Sequence, residues 1–180
     1  MKKLFQGNWV SLVENEGYEY LSEPDLVFVF CKRIFNDGTV RFAIRSEYCP
    51  PYSTTKNFYT VISGTIEENE TSKETAIREL EEEAGIRVLN EEEIVTAYEN
   101  IQLFKATDAK VNLFYCTIDE DEQNLNYEIV DIKGDGTENE KKSQTIWLTF
   151  NELLNILKNS DDFDLLFLLS VFIYLEVDEF

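Results

Sequence analysis

Residues 64–86 read GTIEENETSKETAIRELEEEAGI, and the order of residue types in this stretch decides the fold. Thr71 or Ser72 can cap a helix, and Glu74 stands three residues after Thr71 in a capping-box pattern. Gly85 supplies the left-handed residue that stops it, so the pattern predicts a helix from about Ser72 to Ala84. Ala76, Ile77, Leu80 and Ala84 fall on one arc of that helix and would bury against a sheet. The helix also carries Glu74, Glu79, Glu81, Glu82 and Glu83. Glu82 and Glu83 follow Glu79 by three and four positions, which puts these three carboxylates on a shared face. Left alone, such neighbours repel by several tenths of a kcal/mol per close pair. A hard divalent cation removes that repulsion, because Mg²⁺ takes oxygen ligands and keeps positions open for water and phosphate. The competing reading is a solvated acidic face, common in a chain this acidic.

Outward from the helix the pattern turns to strands. Leu26–Ile34 and Thr39–Arg45 are β-rich runs separated by Asn36-Asp37-Gly38, a hairpin signal. Pro50-Pro51 breaks the chain before a strand at Phe58–Ser63. Residues 1–22 suggest two short strands, Leu4–Leu12 and Tyr18–Leu21, joined by the turn Glu14-Asn15-Glu16-Gly17. Beyond the helix, strands are expected at Glu93–Phe104, Lys110–Ile118, Tyr127–Ile132 and Thr145–Leu148, with a loop at Lys133–Ser143. Thr149 could cap a helix from Phe150 to Leu157, and a second helix is expected at Phe163–Leu175. Strands, a central helix, more strands and closing helices make a mixed α/β chain with one core.

Composition narrows the chemistry. The 180 residues suit one domain, and 43% apolar content argues for a folded chain. With 36 acidic against 16 basic residues, the formal net charge is −20, which disfavours nucleic acid or an anionic membrane as partner. An anionic substrate would need a local positive charge that the protein scarcely supplies, and a metal cation is the obvious source. The chain has no histidine, which removes Ser-His-Asp and Cys-His systems and any imidazole base. Acid–base work falls to carboxylates, Lys or Tyr. Cys31, Cys49 and Cys116 form no CxxC pair and read as reduced thiols of a cytoplasmic protein. The N-terminal residues lack the apolar run of a signal peptide, and Leu165–Leu175 is too short to span a bilayer.

Gly64, Glu70, and the run Arg78-Glu79-Leu80-Glu81-Glu82-Glu83-Ala84-Gly85-Ile86 satisfy every fixed position of G-x5-E-x7-R-E-U-x-E-E-x-G-U, with U aliphatic. Chance agreement at nine constrained positions is less frequent than roughly one in a million, given ordinary residue usage. This is the Nudix box, and the chain resembles the Nudix hydrolases. The resemblance implies an α/β/α sandwich with a mixed central sheet over residues 23–180, preceded by a short N-terminal antiparallel strand segment in 1–22. It implies that Glu79, Glu82, Glu83 and the Gly64 carbonyl hold Mg²⁺, with Mn²⁺ as substitute, and that Arg78 fixes the carboxylates by pairing with Glu70. Helical spacing also allows Arg78 to pair with Glu74 and Glu82.

Looser similarities point to the ADP-ribose and ADP-sugar pyrophosphatases. They lie in Gly7-Asn8-Trp9-Val10-Ser11-Leu12, in Arg45-Ser46-Glu47-Tyr48-Cys49-Pro50-Pro51, and in Trp147-Leu148 ahead of Asn151-Glu152-Leu153-Leu154. That branch implies a homodimer formed through the N-terminal strands and a loop glutamate as general base. Here the candidates are Glu138 and Glu140, with Glu83 inside the box. Arg45 is a candidate phosphate contact, and Tyr48, Tyr52 or Phe58 a candidate base-stacking face, against the alternative that these aromatics are core. The sequence departs from the branch at Cys49, where arginine is usual, and at Thr60-Val61-Ile62-Ser63, where Glu-Leu-Pro-Ala is usual. The expected activity is hydrolysis of the diphosphate bond in ADP-ribose or a nucleotide sugar. Alternatives are nucleoside triphosphate house-cleaning and a catalytically silent nucleotide sensor.

Overall fold

The computed structural model describes residues 1–49, 57–120, 126–132 and 142–163. Its centre is a mixed sheet in which strands β4 (Leu26–Ile34), β5 (Val40–Glu47), β9 (Val95–Gln102), β10 (Lys110–Asp119) and β12 (Gln144–Leu148) run in the order β12-β5-β4-β10-β9. Two short strands, β6 (Phe58–Thr60) and β7 (Ile62–Thr65), add to β5 and β4. β4 and β10 are parallel, in register from Leu26↔Val111 to Ile34↔Asp119; the other pairs are antiparallel.

Side-chain alternation explains why helices lie on both faces. In β4, Val27, Val29 and Cys31 pack with Ala76, Leu80 and Ala84 of helix α1 (Ser72–Ala84). Phe30 points the other way, joining Phe42 and Ile44 of β5 against Leu153 of helix α2 (Phe150–Asn159). A strand buried on both sides reads as a continuous apolar run, which is how Leu26–Cys31 appears. The result is an α/β/α sandwich.

Two departures from the sequence reading concern turns. The run Leu4–Leu12 is not one strand but parts of two, β1 (Lys2–Gln6) and β2 (Ser11–Asn15), because the Gly7 amide donates to the Val10 carbonyl at 2.8 Å and reverses the chain. With β3 (Tyr18–Ser22) they form a separate three-stranded antiparallel sheet. It is tied to the rest by Leu21, whose amide donates to Ala106 O (2.8 Å) and whose carbonyl accepts from Asp108 N (3.0 Å). Phe58–Ser63 splits at Val61, each half pairing with a different strand.

Elsewhere the bounds shift. A 3₁₀ turn at Glu91–Glu93 precedes β9, and the expected Tyr127–Ile132 strand shortens to β11 (Tyr127–Ile129). β11 pairs with β8 (Ile86–Val88), a strand the sequence reading did not separate from the helix stop. The expected Phe163–Leu175 helix lies, after its first residue, outside the described residues.

Gly85 makes this last pairing possible. It sits at φ 66°, ψ 33°, the left-handed position that ends α1. A Cβ there would also approach the Val130 carbonyl oxygen to 2.4 Å. Gly85→Ala is expected to cost about 2 kcal/mol, lowering the melting temperature by roughly 4–8 °C in a thermal melt.

Candidate active site

Helix α1 is fixed before it carries any chemistry. The Thr71 hydroxyl accepts the Glu74 amide (3.2 Å) and the Glu74 carboxylate accepts the Thr71 amide (2.8 Å), closing the capping box. That use of Glu74 corrects the pairing with Arg78 allowed by spacing alone: its carboxylate is committed to Thr71. With Ala76 and Leu80 against the sheet, helical periodicity turns Glu79 and Glu83 inward as well, so both are buried, while Glu82 sits at the edge. The three carboxylates, together with Arg78, Glu67 and Ser63-Gly64-Thr65 of β7, line one open cleft of about 410 Å³.

Arg78 organises the cleft floor. Its Nε and Nη2 donate to the two oxygens of Glu70 at 3.0 and 3.1 Å, a two-pronged charge-assisted pair. Nη1 donates to Glu79 (2.6 Å) and Glu82 (3.2 Å), and Nη2 also reaches the Thr65 carbonyl (3.2 Å). One guanidinium thus ties the loop before α1, strand β7 and two helix carboxylates together. The hydrogen bonds from Arg78 hold the Glu70 carboxyl down at about 2. Glu83 is gripped from both sides: Oε1 lies 3.1 Å from Arg45 Nε, and Oε2 accepts the Ser63 amide at 3.0 Å.

The two inward carboxylates lack sufficient positive charge. Burial pushes Glu79 up to about 7 against the opposing pull of Arg78, and burial pushes Glu83 well above the usual carboxylate range despite Arg45. Two desolvated carboxylates beside a third, with a glycine opposite, form a hard-oxygen donor set that fits a divalent cation. Gly64 provides the room, since a Cβ there would lie 1.8 Å from Glu79 Oε1. Among the described residues no three acidic or cysteine side chains are gathered to hold a metal as they stand. Arg78 Nη1 lies between Glu79 and Glu82, 2.6 and 3.2 Å from their oxygens.

These raised values have a stability consequence. A carboxyl whose folded pKa is about 7, against an ordinary 4.5, holds a proton that the unfolded chain has released. Stability is therefore expected to fall as pH rises from about 4.5 to about 7, by on the order of 2–3 kcal/mol from Glu79. Thermal melts without metal should show this decline, and Glu79→Gln should flatten it. Mg²⁺ should raise the melting temperature more at pH 8 than at pH 5.

The structure brings Gly64, Glu70, Arg78, Glu79, Glu82 and Glu83 together, with Gly85 capping their helix. It places Arg45 behind Glu83, almost fully buried and away from the cleft lining. Tyr48 is half-buried, with the Lys142 ammonium 4.3 Å above its ring, and Phe58 is buried in β6; neither lines the cleft. Tyr52, Glu138 and Glu140 lie outside the described residues. Sequence reasoning did not single out the Ser63 amide, the Thr65 carbonyl or Thr145, whose hydroxyl donates to the Glu83 carbonyl. The first two flank the box glycine and could have been suspected. Thr145 is found only through the register that sets it opposite Arg45.

The NUDIX domain family matches residues 29–169, so the chain belongs to the Nudix family. It is a Nudix pyrophosphohydrolase, acting on a phosphorus anhydride bond. The crystal structure of an ADP compounds hydrolase superposes with a TM-score of 0.67 at 15% identity, covering 99% of this chain and 91% of that one. That likeness establishes the shared fold. No curated protein matches the sequence.

Proposed function

We propose that the protein hydrolyses the diphosphate bond of a nucleoside diphosphate linked to a second moiety, of the ADP-ribose or nucleotide-sugar type. The observation that carries this reading is the cleft in which a complete Nudix box presents Glu79, Glu82 and Glu83 beside Gly64. These residues would hold Mg²⁺ or Mn²⁺, with the Gly64 carbonyl as a further oxygen. When bound, the cation supplies charge neutralisation on the diphosphate oxygens and a water of lowered pKa.

The chain's own residues do the rest. Arg78 holds Glu79 and Glu82 at the cleft and pins their helix to Glu70. A carboxylate takes the proton of the attacking water: Glu83 from the box, or Glu138 or Glu140. The net charge of −20 disfavours polymeric anions, in keeping with a small diphosphate as substrate. The likeness to an ADP compounds hydrolase supports the adenine-nucleotide class.

Two further proposals belong to the same reading. The N-terminal sheet exposes Phe5 (66%) and Trp9 (81%), apolar surface suited to a homodimer contact. Light scattering after gel filtration should give twice the monomer mass, and Trp9→Glu should lower it. Cys31 and Cys116 are free thiols, in keeping with a cytoplasmic protein, and no helix among the described residues is long and apolar enough to cross a membrane.

The decisive test incubates the protein with ADP-ribose, ADP- and UDP-sugars and nucleoside triphosphates, in Mg²⁺, Mn²⁺ or EDTA. AMP and ribose 5-phosphate from ADP-ribose, formed with metal and not with EDTA, are the expected result. Preferential release of pyrophosphate from triphosphates would favour house-cleaning instead. Activity that survives EDTA, or no hydrolysis of any compound, overturns the proposal.

A further inference from the structure

We infer that Arg45, assisted by Thr145, is a positioning residue that orients Glu83 from behind and never touches substrate. The inference rests on reading the cleft as the hydrolytic site. Arg45 lies in β5, is 1% exposed, and does not line the cleft, so its guanidinium has no path to a bound phosphate. Its Nε instead lies 3.1 Å from Glu83 Oε1 and 3.3 Å from Glu47 Oε1. Its Nη1 donates to the Thr145 hydroxyl at 3.3 Å, and that hydroxyl donates in turn to the Glu83 backbone carbonyl.

Register explains how these groups meet. Arg45 and Thr145 are direct cross-strand partners in β5 and β12, so both side chains leave the same face of the sheet, toward the C-terminal end of α1. Thr145 grips the backbone of Glu83 while Arg45 grips its carboxylate. The remaining oxygen, Oε2, goes to the Ser63 amide one residue before Gly64. Glu83 is thereby held at three points by three strands, and its orientation no longer depends on the helix alone. A guanidinium buried among Glu83, Glu47 and Thr145 is suited to fixing a carboxylate in a dry wall, a task that lysine's point charge does less well.

The test is a mutant cycle on the full chain, with kinetics and thermal melts of wild type, Arg45→Met, Arg45→Lys, Thr145→Val, Glu83→Gln and the Arg45→Met/Glu83→Gln double variant. Arg45→Met should lower kcat by about 10–100-fold, with KM for the nucleotide changed less than about threefold. Arg45→Lys should recover at least part of that loss. In the Glu83→Gln background, removing Arg45 should lower kcat by less than about threefold more, because the carboxylate it orients is gone.

The melts give a readout that needs no activity. Arg45→Met should lose roughly 10 °C by leaving a buried carboxylate without its partner, and the double variant should regain much of it. A rise of tenfold or more in KM with kcat intact overturns the inference in favour of a phosphate contact. Equal kcat losses in the two backgrounds, or additive melting shifts, overturn it too. If Arg45→Met does not fold, Arg45→Lys and Thr145→Val carry the kinetic contrast, and wild-type kcat in both overturns it. A wild type that hydrolyses nothing defeats the reading of the cleft but leaves the melting cycle to decide whether Arg45 holds Glu83.

Discussion

Replacing Glu83 by glutamine is expected to lower kcat by about 10²–10⁴-fold while leaving the protein folded. Glutamine keeps the shape and one carbonyl oxygen, so the Ser63 amide retains an acceptor. What it loses is the charge, and with it the capacity to bind a cation or take a proton. Stability should fall by only a few degrees, because the amide oxygen can still accept from Arg45 and the Ser63 amide, and Glu47 still faces the guanidinium. A variant that melts close to wild type yet turns over at least a hundredfold more slowly separates function from scaffolding. Glu138→Gln and Glu140→Gln belong in the same series: a loss of that size at either one places the proton acceptor there, and wild-type rates at both leave Glu83 as the base. A Glu83→Gln kcat within a few-fold of wild type would remove this residue from the chemistry.

The contrast between Glu83 and Arg45 shows what a sequence can and cannot disclose. Glu79, Glu82 and Glu83 were legible because an α-helix has a fixed period, and one turn brings positions three and four apart onto one face. The helix bounds were equally legible: Thr71 with Glu74 at one end and Gly85 at the other leave no other solution. Arg45 was singled out from sequence, but its direction was not. A strand residue points to one face or the other, and which of those faces α1 covers is set by pairing between segments a hundred residues apart, as with Arg45 and Thr145.

The same limit produced the misread N-terminal strand. Leu4–Leu12 has strand-forming residues on both sides of Gly7, and only the Gly7–Val10 hydrogen bond reveals the reversal. Glu74 erred in the opposite direction. Helical spacing allowed two partners, and the unsatisfied amide at the helix start outcompeted the arginine one turn on.

Gly64→Ala should cost about 10²-fold in kcat, although the substitution adds one methyl group. Gly64 is not among the positive-φ glycines, so alanine's backbone preferences are met. The difficulty is the space in front of it. A Cβ would lie 1.8 Å from Glu79 Oε1, 2.2 Å from its Cδ and 2.5 Å from its Cγ, so the side chain must swing away as a unit. β7 yields less readily than a side chain, because Gly64 is paired with Val27 of the central strand β4. Glu79 then leaves its 2.6 Å contact with Arg78, and a ligand displaced by an ångström or more costs on the order of 10²-fold.

Melting temperature should fall only a few degrees, because one hydrogen-bonded ion pair is lost and the core is untouched. The mechanism has its own control. In a Glu79→Ala background the added methyl group no longer meets the glutamate side chain, so Gly64→Ala should have little further effect on kcat. Full activity in Gly64→Ala, or an undiminished loss in that background, would mean that Glu79 does not work from the position it holds against the glycine.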